Sequence, residues 1–243
     1  MLLGVAMVSL QVSIGTVNDL TDAVRDRGHK PGKPLPAGLV GRRTAMAVAV
    51  GGLVLGLGLS LVAGPTTSAI AAAGVLTGYA YDLRLKGTAW SWLPFAIGLP
   101  LLPVYAWVGA TGGVPVAFAF LVPLGIAAGG AVALLNGLVD IERDRAAGLT
   151  TAAVRLGPRR ARRTAAGLLA LIAIGVCGSL LAIGAGALAI ALAVLGAVLA
   201  GVGAWAVGDP SSARRERGWE AGAIGIGLMA AGWAIGFAER GRL

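Results

Sequence analysis

Charge is scarce in this 243-residue chain: 13% of residues are Asp, Glu, Lys or Arg, against 57% hydrophobic, and the mean hydropathy is +0.83. Soluble domains carry roughly twice that share of charge, so a water-soluble globular domain is a poor description of this sequence. Cysteine occurs once, at Cys177. No disulfide can form within the chain, and a lone thiol among Gly and Leu reads as packing. Histidine also occurs once, at His29 in a loop, so a metal site built on several imidazoles is excluded. The stretch from Met1 to Val17 lacks a basic start and runs into Asn18-Asp19 without a small-residue cleavage site, so it does not read as a cleavable signal.

What is abundant is apolar sequence, in runs of roughly 20 residues that are each long enough to cross a bilayer as a helix. Eight candidate spans follow: Leu2–Val17, Thr44–Ala63, Thr66–Tyr81, Ala89–Gly109, Pro115–Leu135, Ala165–Ala185, Gly186–Gly208 and Trp219–Ala238. The stretch 165–208 is too long for one crossing, which places a turn near Gly184-Ala185-Gly186. The expected fold class is all-α, a multi-span transmembrane bundle of about eight helices. Gly52 and Gly56, at GxxxG spacing, predict a close helix contact. Pro94, Pro100, Pro103 and Pro123 lie inside spans and predict kinks.

The formal net charge is +9, which invites a nucleic-acid partner, but the positions of the charges argue otherwise. Eighteen of the 20 basic residues fall in the odd-numbered loops between spans, and only Arg240 and Arg242 lie at the other side. By the positive-inside rule the odd loops face the cytoplasm and both termini face outward, in the cell membrane. Topology thus accounts for the charge, and no nucleic-acid partner is expected.

The eleven acids are distributed unevenly: six of them fall in two ten-residue segments. One is Asn18-Asp19-Leu20-Thr21-Asp22-Ala23-Val24-Arg25-Asp26-Arg27 and the other Asn136-Gly137-Leu138-Val139-Asp140-Ile141-Glu142-Arg143-Asp144-Arg145. Both read N-x-L-x-D-x-x-R-D-R, an internal repeat 118 residues apart. On a helix at about 100° per residue, Asn18, Asp22 and Asp26 fall within roughly 80° of one another with Asp19 beside them, and Asn136, Asp140 and Asp144 do the same. Clustered carboxylates repel one another unless a cation lies between them. An oxygen-only donor set suits magnesium, which takes one or two carboxylates and completes its shell with substrate phosphates. Acids at the membrane edge are costly, which argues for a functional reason.

Cations complete the pattern. Arg25 and Arg143 follow Asp22 and Asp140 by three residues, so each can pair with that acid or reach a phosphate oxygen. The tract His29-Lys30-Pro31-Gly32-Lys33-Pro34-Leu35-Pro36-Ala37-Gly38 is a stiff basic loop that can fold over an anion or serve as a plain inside-positive loop. Lys86, after Tyr79 and Tyr81, is a further candidate phosphate ligand, whereas the tyrosines can simply mark the membrane boundary.

These residues carry a resemblance. Asn18-Asp19-x-x-Asp22-x-x-x-Asp26 followed by Lys30-Pro31-x-Lys33-Pro34-Leu35-Pro36-Ala37-Gly38 resembles the first motif of the UbiA superfamily of membrane prenyltransferases. Asp140-x-x-x-Asp144-Arg145-Ala146-Ala147-Gly148, leading to Arg155-Leu156-Gly157, resembles its second. The resemblance implies one integral membrane domain over 1–243, with motifs at 18–38 and 136–157 around a central cavity. It implies two magnesium ions between the motifs and the diphosphate of a polyprenyl donor. Asp22, Asp26, Asp140 and Asp144 would be the catalytic carboxylates; Asn18, Asp19 and Asn136 would be further metal ligands. Arg25, Lys30, Lys33, Lys86 and Arg143 would hold the diphosphate. The expected activity is transfer of the prenyl group to a lipid or aromatic acceptor within the membrane. A terpene cyclase using the same metals, or a non-enzymatic membrane protein with a degenerate site, are the alternatives. The wording of the motifs leans towards the ether-lipid and chlorophyll branches.

Three departures stand out. Relatives usually have nine spans, with a complete helix ahead of the one that ends at the first motif, whereas this chain begins almost inside the latter. Asn136 stands where many relatives have a third Asp. The family's tyrosine-x3-lysine segment would need a tyrosine at Asp82, and the nearest is Tyr81.

Overall fold

The computed structural model describes residues 1–26 and 32–241, with backbone but not side chains for 24–26. Among the described residues the chain forms ten α-helices and no strand. They are α1 (Leu2–Asp26), α2 (Arg42–Val62), α3 (Pro65–Ala80), α4 (Leu93–Thr111), α5 (Phe118–Val139), α6 (Ile141–Ala146), α7 (Ala152–Leu156), α8 (Pro158–Ala182), α9 (Ala187–Ala206) and α10 (Ser212–Glu239). A π-helical turn, Tyr81–Leu85, continues α3.

The eight expected spans correspond one to one with the eight long helices. Seven of these are long and apolar enough to cross a membrane. The exception is α3, whose 16 α-helical residues cover about 24 Å at 1.5 Å per residue before the π-helical turn takes over. Three helices outrun by seven residues or more the apolar stretches that announced them: α1 continues to Asp26, α8 starts at Pro158 and α10 at Ser212. Hydropathy marks the part of a helix that lies in lipid, while backbone hydrogen bonding carries the helix on into the polar boundary. The α8–α9 turn falls where length demanded it, with Gly184 at φ 64°.

The chain divides into two compact units, residues 1–86 with 101–114, and residues 87–100 with 115–243. In the first unit α1 lies on α2 at the predicted glycines. A Cβ on Gly52 would stand 2.6 Å from the Ser9 carbonyl oxygen, and one on Gly56 would stand 2.5 Å from Leu10. Ala6, Leu10, Ala71, Val75 and Tyr105 form the core of this unit. Two buried hydroxyls find partners there: Ser13 donates to the Ala49 carbonyl at 2.6 Å, and Ser60 lies 2.9 Å from the Tyr105 hydroxyl.

In the second unit α9 and α10 pack backbone to backbone. Gly196 and Gly225 face one another, each leaving no room for a Cβ against the other's carbonyl oxygen, and Gly203 meets Gly218 in the same way. Without a hydrophobic drive between helices in lipid, such close approach supplies the van der Waals contact that holds a bundle together. Leu135, Leu180, Met229 and Trp233 are the large buried side chains of this core, with Trp233 stacked on Phe237. Large apolar side chains such as Val54, Leu61, Leu76, Ile174, Val198 and Trp205 point outward, as lipid-facing residues do.

Candidate functional site

The first acidic segment occupies the last turns of α1, so the helical face expected for Asn18, Asp19 and Asp22 is present. Asp22 is buried, and its Oδ2 accepts from the Nζ of Lys86 in a short ion pair. Asn18 donates from Nδ2 to Asp82 Oδ1 at 2.6 Å. Asp19 pairs with Lys33 at 2.7 Å. Lys33 and Lys86, two of the predicted phosphate ligands, therefore already lie against the acids of this segment. The side chains of Arg25 and Asp26, and Lys30 as a whole, lie outside the described residues. Tyr79 is not in reach of an anion here, because its hydroxyl is bound to Ser13 at 2.7 Å inside the unit.

The π-helical turn explains the spacing of tyrosine and lysine. In an α-helix a tyrosine-x3-lysine pair sits at i,i+4 on one face. Here the pair is Tyr81 and Lys86, one residue farther apart, and the Lys86 amide donates to the Tyr81 carbonyl at 2.8 Å across the wider π turn. The extra residue is absorbed in that turn, and Lys86 Nζ comes back to 5.8 Å from the Tyr81 ring centroid. The apparent departure in the sequence is thus compensated in the backbone. The same turn buries Asp82, whose Oδ1 is taken by Asn18 while Oδ2 has no hydrogen-bond partner. Sequence reasoning passed over Asp82 as a misplaced tyrosine. Its signal was an isolated acid at the end of an apolar helix.

The second segment is built differently. The single helix expected for Asn136 to Asp144 is interrupted: α5 ends at Val139, Asp140 takes φ −103° and ψ 12°, and α6 begins at Ile141. The Asp144 amide still donates to the Asp140 carbonyl at 2.8 Å, so the two acids stay one turn apart. Asp140 pairs with Arg143 at 3.2 Å, the alternative foreseen for that arginine; Arg143 is exposed and Asp140 half-buried. Asp144 Oδ2 accepts from the Thr151 hydroxyl at 3.3 Å, and Thr151 also caps α7. Glu142 points elsewhere, to Arg215 of α10 at 2.7 Å. That hydrogen bond holds the Glu142 carboxyl below its ordinary range.

The break has a consequence for composition. Gly137 occupies the position of Asp19 in the repeat, and a Cβ there would stand 2.8 Å from the Ala153 Cβ of α7. Packing of α7 against α5 therefore removes the third carboxylate from this copy.

Among the described residues no three His, Cys, Asp or Glu side chains converge closely enough to hold a metal by themselves. The donors present are carboxylate and amide oxygens in small groups, with one buried carboxylate oxygen left without a partner. That set fits magnesium, which relies on substrate phosphates and water for the rest of its shell.

The model of the UbiA prenyltransferase family matches residues 1–223. A digeranylgeranylglyceryl phosphate synthase of Methanoregula boonei is 35% identical over 172 residues, covering 65% of this chain and 58% of that protein. A chloroplastic chlorophyll synthase of Arabidopsis thaliana is 30% identical over 192 residues, covering 74% of this chain and 49% of that protein. The chain thus spans a little over half, or about half, of the length of these relatives. Among solved structures, a UbiA homologue from Archaeoglobus fulgidus bound to GPP and Mg2+ superposes with a TM-score of 0.70 at 19% identity, over 96% of this chain and 87% of that one. Likeness at that identity establishes the shared fold.

Proposed function

The chain belongs to the UbiA prenyltransferase family and is integral to a membrane, and from that premise we propose that it transfers a prenyl group from a polyprenyl diphosphate to an acceptor in the bilayer. The observation that carries this is the buried Asp22 held by Lys86 beside Asn18, Asp19 and Lys33 at the end of an apolar helix. Placing ionised groups there is costly, and a magnesium diphosphate uses both signs of charge.

Asn18, Asp19, Asp22 and Asp26 would hold one magnesium ion, and Asn136, Asp140 and Asp144 another. When bound, magnesium would neutralise the charge that grows on the departing diphosphate. Lys86 and Asp22 satisfy each other in the free protein. An arriving diphosphate offers the ammonium a stronger partner, so Lys86 turns to the phosphate and releases Asp22 as a ligand. Lys30, Lys33, Arg25 and Arg143 are further phosphate contacts. The allylic C–O bond breaks with both electrons leaving on the diphosphate. The acceptor nucleophile forms the new bond to carbon and passes its proton to the released diphosphate. Apolar spans around the prenyl chain keep water from capturing the cation first.

The relatives' names point to a glyceryl phosphate lipid or a tetrapyrrole as the class of acceptor. The odd loops, with both acidic segments, are taken to face the cytoplasm in the cell membrane, as the distribution of Lys and Arg supports. The test is incubation of purified protein with labelled prenyl diphosphates of several lengths and acceptors of both classes, with magnesium or with chelator. A labelled acceptor only with magnesium is expected. A cyclised hydrocarbon formed without acceptor would establish the cyclase instead, and neither product nor magnesium-dependent diphosphate binding would overturn the enzyme.

A further inference from the structure

The second unit holds a feature that prenyl transfer does not use. A cavity of about 280 Å³ opens among the first turn of α8, the loop from α9 to α10, and α6. Its floor is apolar, from Leu138, Ile141 and Val207, and its polar wall includes Arg159, Arg162 and Arg215.

Three observations give this cavity a preference for an anion. The two acids in its lining are already engaged: Glu142 is held by Arg215, and Asp209 accepts from Arg214 at 3.0 Å and from the Ser211 amide at 2.8 Å. Arg159 and Arg162 form no ion pair among the described residues. Finally, Gly208 lacks the side chain that would exclude Arg162: a Cβ there would stand 2.1 Å from its Nη1.

Helix electrostatics point the same way. Arg159, Arg160, Arg162 and Arg163 crowd the first turns of α8, and Arg214, Arg215 and Arg217 those of α10. Cations are unfavourable at the positive end of a helix, and neither N-terminus has a side-chain cap. A bound anion would relieve both. The cavity lies where α9 ends and α10 begins, at the edge of two spans, a level at which basic pockets between helices take anionic lipid heads.

We propose that this arginine-lined cavity binds a phosphate group, of the kind carried by the head of an anionic phospholipid. The phosphate would accept from Arg159 and Arg162, beside the Glu142-bound Arg215, and the adjoining acyl chains would lie along the lipid-facing sides of the spans.

The test compares full-length protein in nanodiscs of pure phosphatidylcholine, of phosphatidylcholine with about one-fifth phosphatidylglycerol, and of pure phosphatidylcholine with millimolar inorganic phosphate. The readouts are the thermal midpoint and the lipid retained in native mass spectrometry. A midpoint raised by phosphatidylglycerol is expected, as for any ligand that binds only the folded state. Arg159→Gln with Arg162→Gln should weaken retention roughly tenfold or more, since each lost charge-assisted hydrogen bond is worth about a factor of ten. The control, Arg160→Gln with Arg163→Gln, removes the same charge from the same helix but does not touch the cavity, and it should retain the response. An equal rise with inorganic phosphate alone, lost in the first pair and kept in the control, would support the site and assign it to a soluble phosphate. Equal behaviour of the two pairs would overturn the proposal, whether both respond or neither does. Should the first pair unfold, single Arg159→Gln, an exposed position, carries the same comparison in lipid retention.

Discussion

Lys86 reaches from the π-helical turn to the buried carboxylate of Asp22, 64 residues earlier in the chain, and the two neutralise each other. A metal and a diphosphate must part them. Lys86→Met should therefore lower turnover roughly 10- to 100-fold, as the loss of one charged contact to phosphate implies. At the same time half-saturation by magnesium should stay level or fall, because the Lys86 ammonium no longer competes for Asp22. Rates measured against magnesium at saturating donor separate these effects. Unchanged turnover with a raised magnesium requirement would contradict the role given to Lys86.

The two acidic segments should be unequal partners. The first offers Asp19 where the second is limited to Gly137 by Ala153, and Asp140 is more exposed than Asp22. Asp22→Asn or Asp26→Asn is expected to abolish turnover at any attainable magnesium concentration. Asp140→Asn or Asp144→Asn should raise the magnesium requirement and leave some activity. Glu142→Gln, which loses only the tie to Arg215, should keep its turnover and lose less than about 1 kcal/mol of stability after solvent screening. Magnesium titrations of these variants check the order. Glu142→Gln as damaging as Asp140→Asn would remove the basis for the metal assignment.

Glycines on α9 provide a paired test of packing. Gly196 faces the Gly225 backbone, whereas a Cβ on Gly201 meets nothing within 4 Å. Gly196→Val should destabilise the protein by about 1–3 kcal/mol, the usual range for overpacking, and Gly201→Val should not. Thermal midpoints in detergent read the difference, and equal midpoints would show that α9 and α10 are not in close contact.

Sidedness is testable with single cysteines in a Cys177→Ala background. Gly32→Cys, in the first loop, should resist a membrane-impermeant maleimide in intact cells and react once they are permeabilised. Gly113→Cys, between α4 and α5, should react in intact cells. The reverse pattern would invert the topology.

Much of this molecule was legible without coordinates. The requirement that lipid-embedded backbone be hydrogen-bonded internally makes long apolar runs helices. That is why eight long helices, seven of them long and apolar enough to cross a membrane, and the turn at Gly184 could be read from composition and length. The repeated N-x-L-x-D-x-x-R-D-R segment was equally plain, because residue identity and spacing are properties of the chain itself. Gly52 and Gly56 announced a contact because only backbone approach needs such spacing.

Other features depended on what lies across from a residue in space. The break at Asp140 cannot be read from an otherwise helical pattern, and the collision that keeps residue 137 a glycine comes from Ala153, 16 positions later. Asp82 became a partner of Asn18, and Tyr81 an aligned neighbour of Lys86, only through a π turn that adds one residue without moving the face. The sequence by itself determined the helices, their order and the acidic repeat, since local hydrogen bonding and partition into lipid depend on the residues in each segment. Only the tertiary structure decided which acid meets which cation, because that depends on packing between segments remote in the chain.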